Sequence, residues 1–364
     1  MFQNQKRHLN RRQARKLRYI MTTLMALMLL TYILSGCEKK PETYQEQLFV
    51  FGTLVEIKLW GVEPEQGQQA IAQLAEDFKF MHRIWHAWNP GTLSRINQLL
   101  PTGEKFSGAP SVLPLITEGQ RLSKLSGGLF NPAIGNLIKL WGFESDDPPK
   151  GPPPDEQAIE AILKRHPSMD DIIVDGIELQ CRNDAVRLDF GGFAKGVAID
   201  KSIQHLRDMG INNAIVNAGG DLRIIGKHGE RPWRIGIRNP RGPGMLASVD
   251  VAGDESVVTS GDYERFFEYE GVRYYHIIDP RTGYPARGAV SVTVFDDEAG
   301  KADAAATALF VAGPEDWYEV AKAMGVKGVM LVDTRGVIHM TPNLKDRIYF
   351  DVDPKPEIIF SESL

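Results

Sequence analysis

Apolar and polar positions alternate between residues 51 and 60, the period of a half-buried strand, so the first strand is predicted there. Leu74, Phe78, Met81 and Trp85 then recur at i, i+4, i+7 and i+11, which lines one face of a helix. A second helix is predicted over 112–126, stopped by Gly127-Gly128, a pair suited to a C-cap. The prolines in 146–154 forbid regular structure and make that stretch a loop, ahead of a helix that Asp155 would cap. Three short β-rich runs follow in 172–189, separated by the turn pairs Asp175-Gly176 and Asn183-Asp184. The next helix is predicted from near Gly192 to Gly210, with Val197, Ile203, Leu206 and Met209 inward. Short strands dominate 213–295, and the chain closes with helices over 299–311 and 315–324 and strands over 328–332 and 337–341. This order predicts an α+β fold of mixed, largely antiparallel sheets with packed helices, in place of regular βαβ alternation.

The N-terminus changes the picture. The first 36 residues carry seven Lys or Arg and no acid, and an apolar run spans residues 20–33, the pattern of a secretion signal. The run is too short for the roughly 20 residues of a membrane-spanning helix. It ends at Leu34-Ser35-Gly36-Cys37, which resembles the lipobox of bacterial lipoproteins and points to lipidation of Cys37. Residues 37–47, polar and containing Pro41, read as a tether from lipid to fold. The net charge of -5 hides a contrast, because losing the leader leaves 35 basic against 47 acidic residues. So acidic a body excludes nucleic acid as a natural partner. With Cys37 lipidated, Cys181 is the remaining thiol and no internal disulfide is expected. Stability must come from a core, for which 43% hydrophobic content suffices.

Four segments combine glycine with reactive polar residues: Asp189-Phe-Gly-Gly-Phe-Ala-Lys195-Gly196, Asn217-Ala-Gly-Gly-Asp221, His276-Ile-Ile-Asp279-Pro-Arg281-Thr-Gly283 and Ala302-Asp303-Ala-Ala-Ala-Thr307. Glycine lets backbone amides approach a bulky anion, and carboxylates and hydroxyls suit a hard cation, so together they read as a site for a phosphorylated ligand and a metal. Asp303 and Thr307, four apart in a helical stretch, project oxygens from one face; they hold magnesium, or Asp303 caps the helix while Thr307 bonds its own backbone. Gly191-Gly192 opens a helix whose free amides face outward, with Lys195 one turn in. The glycines of the second segment fit a tight hairpin, and Asp221 either orients the site or closes that turn. His276 is the candidate base, oriented by Asp279, and Arg281 could neutralise a phosphate. His82 and His86 lack the acid of a metal-binding HExxH pattern and read as helix surface.

In order and in register, from about Phe51 to near His339, these segments resemble the flavin transferase (ApbE) lipoproteins, which move FMN from FAD onto a protein threonine. The resemblance implies a T-fold-related transferase domain over 48–350, between the leader 1–36 with its tether and a C-terminal tail 351–364. It implies a magnesium-dependent enzyme that uses FAD as substrate and releases AMP, acting on redox proteins that carry flavin on threonine. It places the chain, lipid-anchored, at the periplasmic face of a bacterial membrane, with Glu38 resembling an outer-membrane sorting pattern. Asp303 and Thr307 would bind magnesium together with the carbonyl of Gly192. Asp189, Lys195 and Ile278 would contact FAD, and Phe51, Trp88 and Leu129-Phe130-Asn131 would line its pocket. Relatives commonly carry Met, Tyr and Asp at the positions of Phe51, Trp88 and Asn131, and some have an acid at Ala306. The alternatives are an FAD pyrophosphatase releasing FMN and AMP, and a flavin-binding lipoprotein without catalysis.

Overall fold

The computed structural model describes residues 16, 18–25, 43–145, 147 and 149–364. The chain divides into two units at residues 42 and 43. In the first unit residues 18–25 are helical, and Cys37 lies outside the described residues. Among the described residues no helix is long and apolar enough to cross a membrane.

The second unit is built on a nine-stranded sheet, in the spatial order Thr43–Val50, Thr53–Trp60, Ala214–Ala218, Asp221–Gly226, Gly253–Gly261, Ala289–Asp296, Gly328–Asp333, Ile338–Met340 and Ile358–Phe360. Every pairing in it is antiparallel except the last, so the α+β, largely antiparallel expectation holds. Alternation does its work in Thr53–Trp60, where Val55, Ile57 and Leu59 are buried and the residues between them are not. Ala289–Asp296, near the middle of the sheet, is buried along its whole length because both faces are covered. The helices Pro64–Trp85, Leu113–Leu125, Ala194–Asp208 and Ala299–Met324 pack on one face. On the other, a three-stranded sheet of Trp233–Arg238, Met245–Val251 and Ile348–Phe350 closes a second core. Leu74, Phe78, Met81 and Trp85 are all buried as their spacing predicts. Asp155 caps the Glu156–Leu163 helix, its Oδ1 accepting from Gln157 N at 2.7 Å.

Four expectations are corrected. Residues 51–60 are not one strand: the chain turns at Phe51-Gly52, both at positive φ, and Thr43–Val50 pairs back along Thr53–Trp60. The tether predicted through Gln47 is therefore already sheet from Thr43, and the predicted tail contributes the edge strand Ile358–Phe360. The third β-rich run, 186–189, forms no strand, because its backbone bonds to Pro132, Ala133 and the Asn97 side chain. The two predicted C-terminal helices, by contrast, are found as predicted: Ala299–Met324 is broken into two where Gly313 (φ 73°, ψ -176°) precedes Pro314.

The helices Ala194–Asp208 and Ala299–Met324 touch backbone to backbone at Gly196. A Cβ there would stand 2.2 Å from Ala299 O and 2.7 Å from Gly300 N. Gly196→Ala is expected to cost about 3 kcal/mol, the upper end for overpacking, read as a lowered denaturation midpoint. A midpoint equal to wild type would show that the helices are not in this contact.

Candidate active site

The Asp189 turn is held by its own carboxylate. Asp189 N donates to Pro132 O, its Oδ1 accepts from Gly191 N at 2.8 Å, and its Oδ2 accepts from Trp88 Nε1 at 2.9 Å. Asp189 thus fixes the aromatic wall and the glycine turn at once. Helical structure starts at Ala194, after Gly192 and Phe193. Gly192 faces the neighbouring helix so closely that a Cβ on it would lie 3.4 Å from Thr307 Oγ1 and 3.3 Å from the Phe130 ring.

Asp303 and Thr307 do share a face of the Ala299–Met324 helix, and neither plays the structural part open to it. Asp303 lies within the helix, so it is no N-cap, and Thr307 Oγ1 makes no hydrogen bond among the described residues. Asp303 Oδ2 accepts from Gly196 N at 3.2 Å, while its Oδ1 has no hydrogen-bond partner among them. Burial, with the Asp221 charge adding, raises the Asp303 carboxyl to about 7.

Lys195 links this helix to the Asn217 hairpin. Its Nζ pairs with Asp221 Oδ2 and lies 3.8 Å from Asp303 Oδ2. Asp221 is buried, and its Oδ1 accepts from Thr259 N at 3.3 Å, so it belongs to the site rather than merely closing the hairpin. The turn itself is the two-residue one expected, with Gly219 and Gly220 at φ 68° and 106°. Burial opposes the Lys195 charge, but Asp221, Asp303 and Glu264 outweigh it and raise the lysine pKa.

His276 is half-buried at the end of this cluster. Its Nδ1 lies 3.3 Å from Arg265 O; a carbonyl only accepts, so Nδ1 carries the proton and Nε2 keeps a lone pair. Burial, then Arg265, and more weakly Lys195 push the imidazole down to about 4, so it is neutral at physiological pH. Asp279 does not orient it. That carboxylate is bound instead to Arg281, at 3.0 Å from Nε and 2.9 Å from Nη2, and caps Arg281 N at 2.9 Å. Arg281 also donates to Val311 O, eight residues along the helix from Asp303, or roughly 12 Å. Asp279 and Arg281 therefore form a turn clamp rather than a phosphate site, because spacing of two within a Pro-Arg-Thr-Gly turn favours a local pair.

The expected aromatic wall is there in part. Phe51 is half-buried, edge-on to His82 at 5.4 Å, and Trp88 carries the Arg265 guanidinium at 5.4 Å from its ring centroid. Phe130 is buried edge-on to Phe193, and Leu129 beside it is half-buried. Asn131 is spent on structure, donating to Pro167 O and accepting from Ala133 N. Ile278 is buried among Ile134, Trp141 and Phe143, which leaves only its backbone for a ligand. His82 and His86, half-buried, line up behind Phe51 and Trp88, where His86 Nδ1 accepts from Trp88 N and Asn89 N.

The model of the ApbE family matches residues 51–330. The chain belongs to the ApbE family. It is 43% identical over 303 residues to the FAD:protein FMN transferase of Rhodobacter capsulatus, covering 83% of this chain but 58% of that longer protein. To the FAD:protein FMN transferase of Vibrio cholerae it is 33% identical over 311 residues, 83% of this chain and 91% of the relative. Among solved structures, the ApbE protein of Thermotoga maritima superposes with a TM-score of 0.77 at 33% identity, over 84% of this chain and 99% of that one. The flavin transferase ApbE of Vibrio cholerae gives 0.74 at 28% identity, over 84% and 99%.

This ApbE-family site also contains residues that sequence reasoning missed. Asp200, on the Lys195 helix, accepts from Ala299 N at 2.9 Å and Gly300 N at 2.8 Å, capping the helix that bears Asp303 from outside it. Arg223 Nη1 holds Asp200 in turn at 2.5 Å. Glu264 and Arg265 come from Gly261-Asp-Tyr-Glu-Arg265, a fifth segment with the same mixture of glycine and charge that marked the other four.

Proposed function

We infer that this chain transfers FMN from FAD to a threonine hydroxyl of an acceptor protein, with magnesium, releasing AMP. One observation carries the reading: Asp303 Oδ1 and Thr307 Oγ1, without partners among the described residues, stand beside the Gly192 turn, next to Lys195. No group of three His, Cys, Asp or Glu able to hold a metal occurs among the described residues, but magnesium does not need one. It needs only one or two carboxylates among a few oxygen donors and keeps water and phosphate at its other positions. Asp303, Thr307 and the Gly192 carbonyl are hard oxygen donors of that kind, so the residues fit the ion. When bound, magnesium supplies Lewis-acid stabilisation of phosphoryl oxygens.

The chain's own groups do the rest. The Lys195 ammonium holds the diphosphate, and Trp88 and Phe51 offer flat walls to its rings. His276 Nε2 takes the proton of the acceptor hydroxyl as that oxygen bonds to the phosphorus nearest riboflavin, while the bond from that phosphorus to the bridging oxygen breaks and AMP leaves. Support for the activity comes from relatives bearing that name and from the family match across residues 51–330. The basic leader and Cys37 support a lipid tether at the periplasmic face, beside redox proteins that carry covalent flavin.

The test is to incubate pure protein with FAD, magnesium and a threonine-bearing acceptor and weigh the intact acceptor. Added FMN mass is expected. Free FMN with an unchanged acceptor would make the protein a pyrophosphatase, and unchanged FAD would make it a binder.

A further inference from the structure

We propose that Lys195 is a built-in cation standing in for the metal between Asp221 and Asp303, and that FAD, by drawing its ammonium onto the diphosphate, releases Asp303 and makes magnesium loading depend on the dinucleotide. The proposal rests on the magnesium reading above and adds an order of binding to it. Lys195 Nζ is paired with Asp221 Oδ2 and stands 3.8 Å from Asp303 Oδ2. Both carboxylate side chains are 4% exposed, whereas the lysine side chain is 24% exposed. With Lys195 in place an ammonium stands between the two aspartates. A divalent ion arriving on Asp303 Oδ1 would then meet a like charge a few ångströms away, in a buried setting where screening is weak.

The diphosphate of a dinucleotide resolves that conflict. It brings its own negative charge, and a lysine on four flexible carbons can turn toward it without movement of the helix. Asp221 also keeps its Thr259 amide when the ammonium leaves, so it is not stripped of every partner. The Ala306 position adds no further carboxylate to tip the balance toward the metal.

Magnesium binding is measured by calorimetry on the full protein, with magnesium alone and again with FAD present. Wild type is expected to bind magnesium weakly alone and about tenfold or more tightly with FAD; Lys195→Met is expected to bind magnesium alone about tenfold tighter than wild type does. In the absence of metal Lys195→Met should also melt lower than wild type, with magnesium alone restoring it, because two buried carboxylates have lost their cation. If wild type loads magnesium with FAD but Lys195→Met gains nothing without FAD, the metal reading stands and the stand-in role is overturned. If neither protein takes magnesium even with FAD, the metal reading fails and carries this proposal with it. Should Lys195→Met not fold, Asp221→Asn serves: it leaves the ammonium with Asp303 alone, so binding of magnesium alone should weaken about tenfold and FAD should restore it, and unchanged affinity for magnesium alone would overturn the proposal.

Discussion

Asp303→Ala is expected to abolish magnesium-dependent FMN transfer, by about a thousandfold or more, while leaving a folded protein. The size follows from what the carboxylate does. In the proposed donor set it would be the one acid beside Thr307 and the Gly192 carbonyl, and stabilising phosphoryl charge through a metal is worth several kcal/mol, of which about 4 corresponds to a thousandfold. Folding should survive, since the buried carboxylate has a raised pKa and one unpartnered oxygen, so its removal relieves an unfavourable burial. Transfer is read as acceptor mass, folding as far-ultraviolet circular dichroism. Asp303→Asn, of the same shape but without the charge, should be nearly as impaired, which separates loss of charge from loss of packing. Normal rates in Asp303→Ala would remove the metal assignment.

The parts of this site that sequence revealed are those whose partners lie close in the chain or whose period is regular. The Pro64–Trp85 stripe, the Asp155 cap, the Gly219-Gly220 hairpin and the break at Gly313-Pro314 are local physics, and each stands where the pattern puts it. Asp303 and Thr307 are legible for the same reason, being one helical turn apart. What failed depends on partners far away. The run 186–189 looks like strand, but its amides go to Pro132 and to the side chain of Asn97. Phe51 reads as strand, yet it occupies a left-handed turn that its side-chain type disfavours, held by the pairing of the strands on either side. Asp279 was assigned to His276 by proximity in sequence, and proximity closer still, to Arg281, won. Asp200 caps a helix a hundred residues away, which no local pattern can announce.

His276→Ala should retain FAD and lose transfer by about 10²–10⁴-fold, the usual contribution of a positioned base. The distinguishing result is how that loss depends on pH. An ordinary histidine, near 6.5, would be protonated at pH 5, so wild type and variant would converge there. Burial, Arg265 and Lys195 hold this imidazole down to about 4, so the free protein keeps Nε2 available throughout the range from about pH 5 to 8. The ratio of kcat/KM for FAD between wild type and His276→Ala should therefore stay flat across that range, since kcat/KM reports the free enzyme. Taking the ratio cancels titrations common to both proteins, including that of Asp303. The same depression has a stability consequence of definite sign: between about 6.5 and 4 the unfolded chain binds a proton at His276 that the folded chain does not, so this residue makes wild type lose stability as pH falls through that window. His276→Ala should lack that component, and its denaturation midpoint should fall less steeply with acid. Converging rates at pH 5, or full transfer by the variant, would rule out a neutral His276 as the base.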